Sequence, residues 1–429
     1  MANENLSRAQ RAKNDEFYTQ YPDIERELQA YINYDPDLFR DKTVLLPCDD
    51  PEWSEFTRYF AQRFGELGLR KLISTSYAPE SKRLSTPYQP SLFEQEAPQF
   101  DPGKTSVRGK IFTLSEDITH DGKVDLSDLQ WSYMEGDGDF RSEEVCRLRD
   151  EADIIVTNPP FSLFREFVDW IFEAEKQFLI IGNMNAITYK NIFPRIAANE
   201  MWLGNGFQSG NAYFKVSSGE DYAEGVFDEV SGLVKFRNCH WYTNLEHGRR
   251  HEPLKLMTIE ENLRYSRHKE IKGKSFEEAY PRYDNYDAIE VAFTDAIPRD
   301  YDGVMGVPIS FLDKYCPEQF EIVAFRKGAD GKDLVYSIRR ERERERERER
   351  RFSRTSEYSS VDVNRWSDEQ SKGHPSQRQE SLRSHPNSST SIPGMIKNAE
   401  GRIGDRITYA RITIRPRQAD TSVAGANEA

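Results

Sequence analysis

The chain is short of cysteine, of long apolar runs and of positive charge, and each shortage narrows what the protein can be. Four cysteines, Cys48, Cys146, Cys239 and Cys316, stand far apart in 429 residues, and none forms a Cys-x-x-Cys pair. Neither a zinc site nor a disulfide framework is suggested, so no metal is expected and a reducing cytoplasm is the expected setting. No apolar stretch approaches the roughly 20 residues that cross a bilayer, and the polar start MANENLSRAQRAKNDEF is unlike a signal peptide, so no membrane association is expected. Net charge is −14, which argues against a nucleic-acid partner if the charge is evenly spread. Phosphate binding depends on local charge, however, and an acidic chain can still carry a basic surface.

Residues 237–274 are where such a surface would lie. They hold Arg237, Arg249, Arg250, Lys255, Arg264, Arg267, Lys269, Lys272 and Lys274, interleaved with Trp241, Tyr242, Tyr265, His240, His247, His251 and His268. The same pattern is equally that of a solvated, mixed-charge face, because Glu246, Glu252, Glu260 and Glu261 share the stretch.

At about 100–200 residues per domain the length predicts two or three domains. The first half alternates short apolar runs with helical spacing, the signature of a wound α/β domain. Thr43-Val44-Leu45-Leu46, Lys71-Leu72-Ile73-Ser74, Asp153-Ile154-Ile155-Val156 and Phe178-Leu179-Ile180-Ile181 read as strands, the last closed by Gly182. Trp53, Phe56, Tyr59, Phe60 and Phe64 mark a helix over 52–67, and Phe164, Phe167, Val168 and Ile171 mark another, with Ser162 as its expected cap. Strand, helix, strand at these intervals predicts parallel pairing through right-handed crossovers.

The expected architecture is a doubly wound, Rossmann-like α/β sheet with a C-terminal target-recognition domain. Residues 1–230 are assigned to the first and 231–338 to the second. Residues 79–106 are Pro- and Ser-rich and read as a long loop. Residues 339–391 open on an Arg-Glu repeat and continue in Ser, Arg, Gln and Asn; such a composition cannot bury enough apolar surface to order itself, so a disordered insertion is expected. Residues 392–429 supply a terminal strand and tail. Ile407 and Tyr409, then Ile412 and Ile414, alternate with a one-residue slip that predicts a bulged strand.

Asn158-Pro159-Pro160-Phe161 carries the chemistry. It follows a buried strand, where ligands sit in open parallel sheets. An amino nitrogen conjugated to a π system is planar and a poor nucleophile. The Asn158 side-chain oxygen and the Pro159 carbonyl can each accept one of its N–H bonds, which favours the tetrahedral geometry that frees the lone pair for an incoming methyl group. Pro159 and Pro160 fix the backbone that aims the carbonyl. Phe161 offers a face on which a flat base stacks, worth about 1–3 kcal/mol.

The tetrapeptide matches the catalytic motif of amino methyltransferases. With Lys13-Asn14-Asp15-Glu16-Phe17-Tyr18-Thr19 and Cys48-Asp49-Asp50-Pro51, the chain resembles the EcoRI-type adenine-specific DNA methyltransferases over most of residues 10–335 and again near 394–415. The resemblance implies S-adenosylmethionine as cofactor. It implies that Phe17, Tyr18 and Thr19 close over the cofactor's methionine part. Cys48, Asp49 and Asp50 would hold its amino acid or ribose, although the glycine-rich turn usual in this superfamily is missing and Pro47 and Pro51 flank the place. Gly136-Asp137-Gly138-Asp139-Phe140 resembles the segment in which a carboxylate and an aromatic hold the cofactor's adenine, here Asp139 and Phe140. Trp241 is the expected second clamp on the base, with Tyr213 and Phe214 as rivals, and Arg249 and Arg250 are expected substrate contacts.

The order of these motifs is the gamma arrangement of amino methyltransferases. It implies site-specific N6-methylation of an adenine flipped out of double-stranded DNA, by a monomer serving a restriction-modification system, with a cognate endonuclease as a possible partner, or a phage. Methylation of a guanine in RNA or a glutamine in protein by the same motif, or a catalytically silent DNA-binding relative, are the competing readings.

Overall fold

A computed structural model describes residues 18–49, 54–78, 90, 92–207, 211–215, 227–228, 230–284, 286–326, 334–337, 405–408 and 410–417. Phe17, Asp50 and the Arg-Glu repeat lie outside the described residues.

The chain begins with strand β1 (Tyr18–Thr19) and helix α1 (Tyr21–Tyr34). It continues through β2 (Thr43–Leu46), α2 (Glu55–Gln62) and β3 (Lys71–Ser76). Then come β4 (Lys110–Leu114), β5 (Gln130–Tyr133), α3 (Glu143–Glu151), β6 (Ile154–Thr157), α4 (Phe164–Glu173) and β7 (Gln177–Asn183). β3, β2, β6 and β7 lie side by side and pair in parallel, as the strand-helix-strand spacing predicts.

Alternation along these strands deals their residues to two cores. Leu45, Ile73, Ile155, Phe178 and Ile180 pack with Val145 of α3 and Phe164, Phe167, Val168 and Ile171 of α4. Val44, Leu46, Leu72, Ile154, Val156, Leu179 and Ile181 pack with Ile24, Leu28 and Tyr31 of α1 and Phe56, Tyr59 and Phe60 of α2. A strand apolar on both faces needs helices on both, and the sheet is accordingly doubly wound.

Antiparallel strands complete the sheet on either side. β4 pairs with β3 and β5 with β4. On the other side β8 (Trp202–Leu203) and β12 (Cys239–Thr243) follow β7, giving the order β5-β4-β3-β2-β6-β7-β12-β8. β12, which follows residue 230, lies between β7 and β8 and is bonded to both. A second small sheet runs β1-β9-β11-β10, with β9 (Asn211–Lys215), β10 (Phe227–Asp228) and β11 (Leu233–Arg237).

The C-terminal part holds β13 (Ile289–Glu290), β14 (Met305–Pro308), β15 (Phe320–Arg326), β16 (Leu334–Ser337), β17 (Asp405–Thr408) and β18 (Arg411–Pro416). One sheet is ordered β13-β14-β18-β15, and β16 pairs with β17 alone. Its apolar residues Met305, Val307, Ile412 and Ile414 are continuous with the α4-side core.

Four local expectations are corrected. The helix foreseen over 52–67 is capped by Ser54, ends at Gln62 and resumes only as a short turn over Phe64–Leu67. Ser162 does not cap α4; a 3-10 turn over Phe161–Leu163 leads into it instead. Gly182 does not close β7 but lies within it, where a side chain would overlap the Phe164 ring. The slip near residue 410 is a break between two strands in different sheets, with Ala410 at φ 53°, and the bulge sits opposite, in β15 between Ile322 and Ala324. No described helix is long and apolar enough to cross a membrane.

Candidate active site

β2 sits where the sheet reverses its order of connection. From it the chain moves through α2 to β3 on one side, while β6 lies on the other and leads through α4 to β7. The helices leave on opposite faces, so the carboxyl ends of β2 and β6 open a crevice between them, the usual ligand site of such sheets. Residues 47–49 follow β2 and the tetrapeptide 158–161 follows β6, so both stand at these carboxyl ends.

Asp49 joins them. Its Oδ2 accepts from Thr157 Oγ1 at 2.6 Å, and its Oδ1 accepts from Ser54 Oγ at 2.8 Å. Ser54 Oγ in turn accepts from Phe56 N, capping α2. The turn is fastened from β3 as well: Thr75 Oγ1 donates to Pro47 O at 2.9 Å, Asp49 N donates to Thr75 O at 3.1 Å, and Ser74 Oγ donates to Asp49 O. Side-chain hydroxyls from three elements shape this turn in place of glycines. Thr157, Ser54, Ser74 and Thr75 were missed from sequence; the available signal was polar residues interrupting otherwise apolar buried strands.

Thr157 ends β6, and Asn158 comes next. Asn158 is half-buried and its Oδ1 is shielded from solvent, while Pro159 is buried. Pro160, at φ −54° and ψ 122°, turns the chain, and its carbonyl accepts from Leu163 N at 3.0 Å. Phe161 is 9% exposed and meets Phe214 of β9 and Phe236 of β11 edge to face, at centroid distances of 6.4 and 6.1 Å. β1 pairs with β9 so that Thr19 stands opposite Phe214. The N-terminal motif is thereby brought beside the tetrapeptide across some 140 residues of chain. Thr19 Oγ1 is buried and has no hydrogen-bond partner among the described residues, which fits a hydroxyl awaiting a polar ligand.

The Gly136–Asp139 segment lies at the end of β3. A Cβ on Gly109 would stand 2.8 Å from Gly138 and from Ser76 O, and one on Gly138, at φ 83°, would overlap the Ser76 carbonyl oxygen. Three backbones therefore meet where only glycine fits. Asp139 beside it holds Arg141 through Nε at 2.9 Å and Nη2 at 2.6 Å, and that guanidinium keeps the Asp139 carboxyl below the usual range. Phe140 is 4% exposed, with Phe167 and Trp170 edge-on at 5.0 and 5.6 Å. Cys48 is half-buried against the α4-side core.

Three expected substrate residues are placed elsewhere. Trp241 is fully buried in β12, stacked on Phe207 at 5.4 Å and edge-on to Phe56. It belongs to the core, since its strand is interior to the sheet. Arg250 is buried, with its guanidinium 3.6 Å from the centre of the Trp202 ring and bonded to Asn199. Arg249 donates to Asp313 Oδ2 at 3.0 Å and to the Asn205 carbonyl. Arg249 thus ties the loop after β8 to Asp313, while Arg250 is enclosed by Asn199, Trp202 and Glu246.

The sequence profile of the family described as adenine-specific methyltransferase EcoRI matches residues 5–417. Type II methyltransferase M.EcoRI of Escherichia coli is 42% identical over 335 residues, covering 77% of this chain and 92% of that protein. Type II methyltransferase M.MpnI of Mycoplasma pneumoniae is 33% identical over 323 residues, covering 74% and 84%. M.MgeORF184P of Mycoplasma genitalium, also a type II methyltransferase, is 33% identical over 325 residues, covering 74% and 85%. No solved structure matches the chain.

Proposed function

The chain belongs to the EcoRI family of adenine-specific methyltransferases, and on that premise we propose that it methylates the N6 amino group of an adenine turned out of a DNA duplex, as the modifying enzyme of a restriction-modification system. The observation that carries the reading is the position of Asn158, at the carboxyl end of β6 in the switch-point crevice and one residue from the bond that ties β6 to the Asp49 turn.

S-adenosylmethionine, when bound, supplies a methyl group on a positively charged sulfur. Thr19, the turn of Cys48 and Asp49, and Asp139 with Phe140 are the residues that would hold it; the buried Thr19 hydroxyl and the glycine-only contact of Gly109 with Gly138 support that fit. Asn158 Oδ1 and the Pro159 carbonyl accept the two N–H bonds of the adenine amine and strengthen as the nitrogen becomes tetrahedral. A cofactor held there would supply its methyl group to the lone pair that these two acceptors free, and the proton the nitrogen then gives up would pass to solvent, so no strong base is required beforehand. Phe161 stacks on the base, and Phe236, half-exposed and perpendicular to Phe161, is the second aromatic in place of Trp241. The C-terminal part, with the sheet β13-β14-β18-β15, reads the target sequence. A cognate endonuclease cutting the same sequence is the partner such an enzyme would oppose.

Asn158→Ala tests the assignment. Losing one transition-state acceptor should slow single-turnover methyl transfer at least about 100-fold, with affinities for cofactor and duplex largely kept. Parental DNA should yield N6-methyladenine on digestion and mass analysis. A near-parental rate for the variant, or absence of N6-methyladenine in DNA exposed to the parent enzyme, would overturn it.

A further inference from the structure

Residues 264–274, Arg-Tyr-Ser-Arg-His-Lys-Glu-Ile-Lys-Gly-Lys, carry five cations against the single carboxylate of Glu270, in a chain whose net charge is −14. Three carboxylates near this turn are already engaged by other groups, which leaves its cations in excess. Glu261 and Glu278 are both turned back onto helix starts, accepting from Thr258 N at 2.8 Å and Ser275 N at 3.3 Å in capping boxes. Asp295 is engaged by His268 at 2.8 Å and Arg267 at 2.9 Å. Arg264, Lys269, Lys272 and Lys274 are exposed, and none has a carboxylate within ion-pair distance among the described residues. Arg63, Arg70, Arg149 and Arg195, by contrast, each meet an acidic partner.

The cations also stand on a firm base. Ile271 is completely buried, Gly273 N donates to Leu263 O at 2.8 Å, and Lys272 N donates to His268 O at 2.9 Å. The His268 ring lies flat on Phe293, with centroids 3.6 Å apart. Tyr265 is 60% exposed, with the Arg264 guanidinium 5.1 Å from its ring centre. A rigid turn showing unpaired cations and one aromatic ring loses little entropy on meeting a row of phosphates, and each neutralised phosphate releases counterions.

We propose that the turn of residues 264–274 is a docking surface for the sugar-phosphate backbone of duplex DNA, a reading that rests on DNA being the substrate. Its contribution is independent of base sequence and sets register and encounter rather than target choice. The test is the salt dependence of binding by the full chain to a duplex lacking the target site. Removing one phosphate contact should flatten the slope of log K against log salt by about 0.9. Lys272→Gln and Lys274→Gln should each do so, and a variant with Arg264→Gln, Lys269→Gln, Lys272→Gln and Lys274→Gln should lose between about two and four such increments. Cofactor affinity, measured separately, reports that the fold is intact, and Lys272→Arg with Lys274→Arg should keep the parental slope. An unchanged slope in the single and combined Gln variants overturns the proposal. So does an effect seen only on anionic vesicles and not on DNA. If the parent chain itself neither binds duplex nor methylates it, the functional reading fails instead.

Discussion

Thr157 is fully buried, yet it spends its hydroxyl on Asp49, 108 positions earlier, rather than on its own strand. The bond fixes the last residue of β6 to the turn after β2, and Asn158 inherits that position. Thr157→Val keeps shape and strand propensity but leaves the Asp49 oxygen short of a partner. A buried acceptor so exposed costs about 1–3 kcal/mol, and a misplacement of about 1 Å at a reacting centre can cost on the order of 100-fold in rate. The expectation is a clear fall in kcat at temperatures where the variant is fully folded, recovered largely by Thr157→Ser. Rapid-quench rates alongside circular dichroism check this; a lowered melting point with unchanged kcat would make Thr157 structural only.

At the scale of elements, the segment joining β5 to α3 is the most constrained. Gly138 lies at φ 83° with Gly109 Cα 3.3 Å from where a Cβ would be, and Ala78 N bonds the adjoining Asp137 carbonyl at 2.7 Å. A side chain forced into such backbone space costs about 1–3 kcal/mol. If that comes out of binding, Gly138→Ala weakens cofactor affinity about ten- to hundredfold. Gly136→Ala, two residues away, meets nothing within 4 Å and should bind as the parent does. Isothermal titration separates the two. Equal losses in both would mean that the segment does not form the cofactor wall. The segment's composition was legible in the sequence, but its use was not, because Ser76 and Gly109 reach it only through the antiparallel pairing of β3 with β4.

Across the whole molecule, stability and the long insertion give separate expectations. His247 is buried between the Leu203 carbonyl and the edge of Tyr31, and burial pulls its pKa from 6.5 down to about 4. The unfolded chain binds that proton below about pH 6.5 and the folded chain does not until about pH 4, so this residue withdraws stability as pH falls through that window. His247→Gln should flatten the melting temperature between those limits; an equally steep acid loss in the variant would assign it to other groups. The insertion begins and ends at a paired hairpin: β16 and β17 are antiparallel, with Ser337 opposite Asp405. Loop closure grows only logarithmically with length. Replacing residues 340–391 with a short Gly/Ser linker should leave melting temperature, methylation and salt slope close to parental. A fall in slope on that deletion would shift DNA contact to the repeat.

The amino-acid sequence by itself determined the parallel centre of the sheet, its helices, and the tetrapeptide at the end of β6. These are set by local periodicity and by residue types whose chemistry is intrinsic: four apolar β-branched or aromatic runs, and an Asn-Pro-Pro-Phe turn. Only the tertiary structure decided what each polar or aromatic residue was for. Trp241, Arg249 and Arg250 look like substrate contacts in sequence, but β12 is interior and the arginines are enclosed by Asp313, Asn205, Trp202 and Asn199. Conversely, the cations of residues 264–274 look like any charged face until the capping bonds of Glu261 and Glu278 show two neighbouring carboxylates engaged elsewhere. Burial and charge pairing are properties of neighbours far apart in the chain, and no local pattern encodes them.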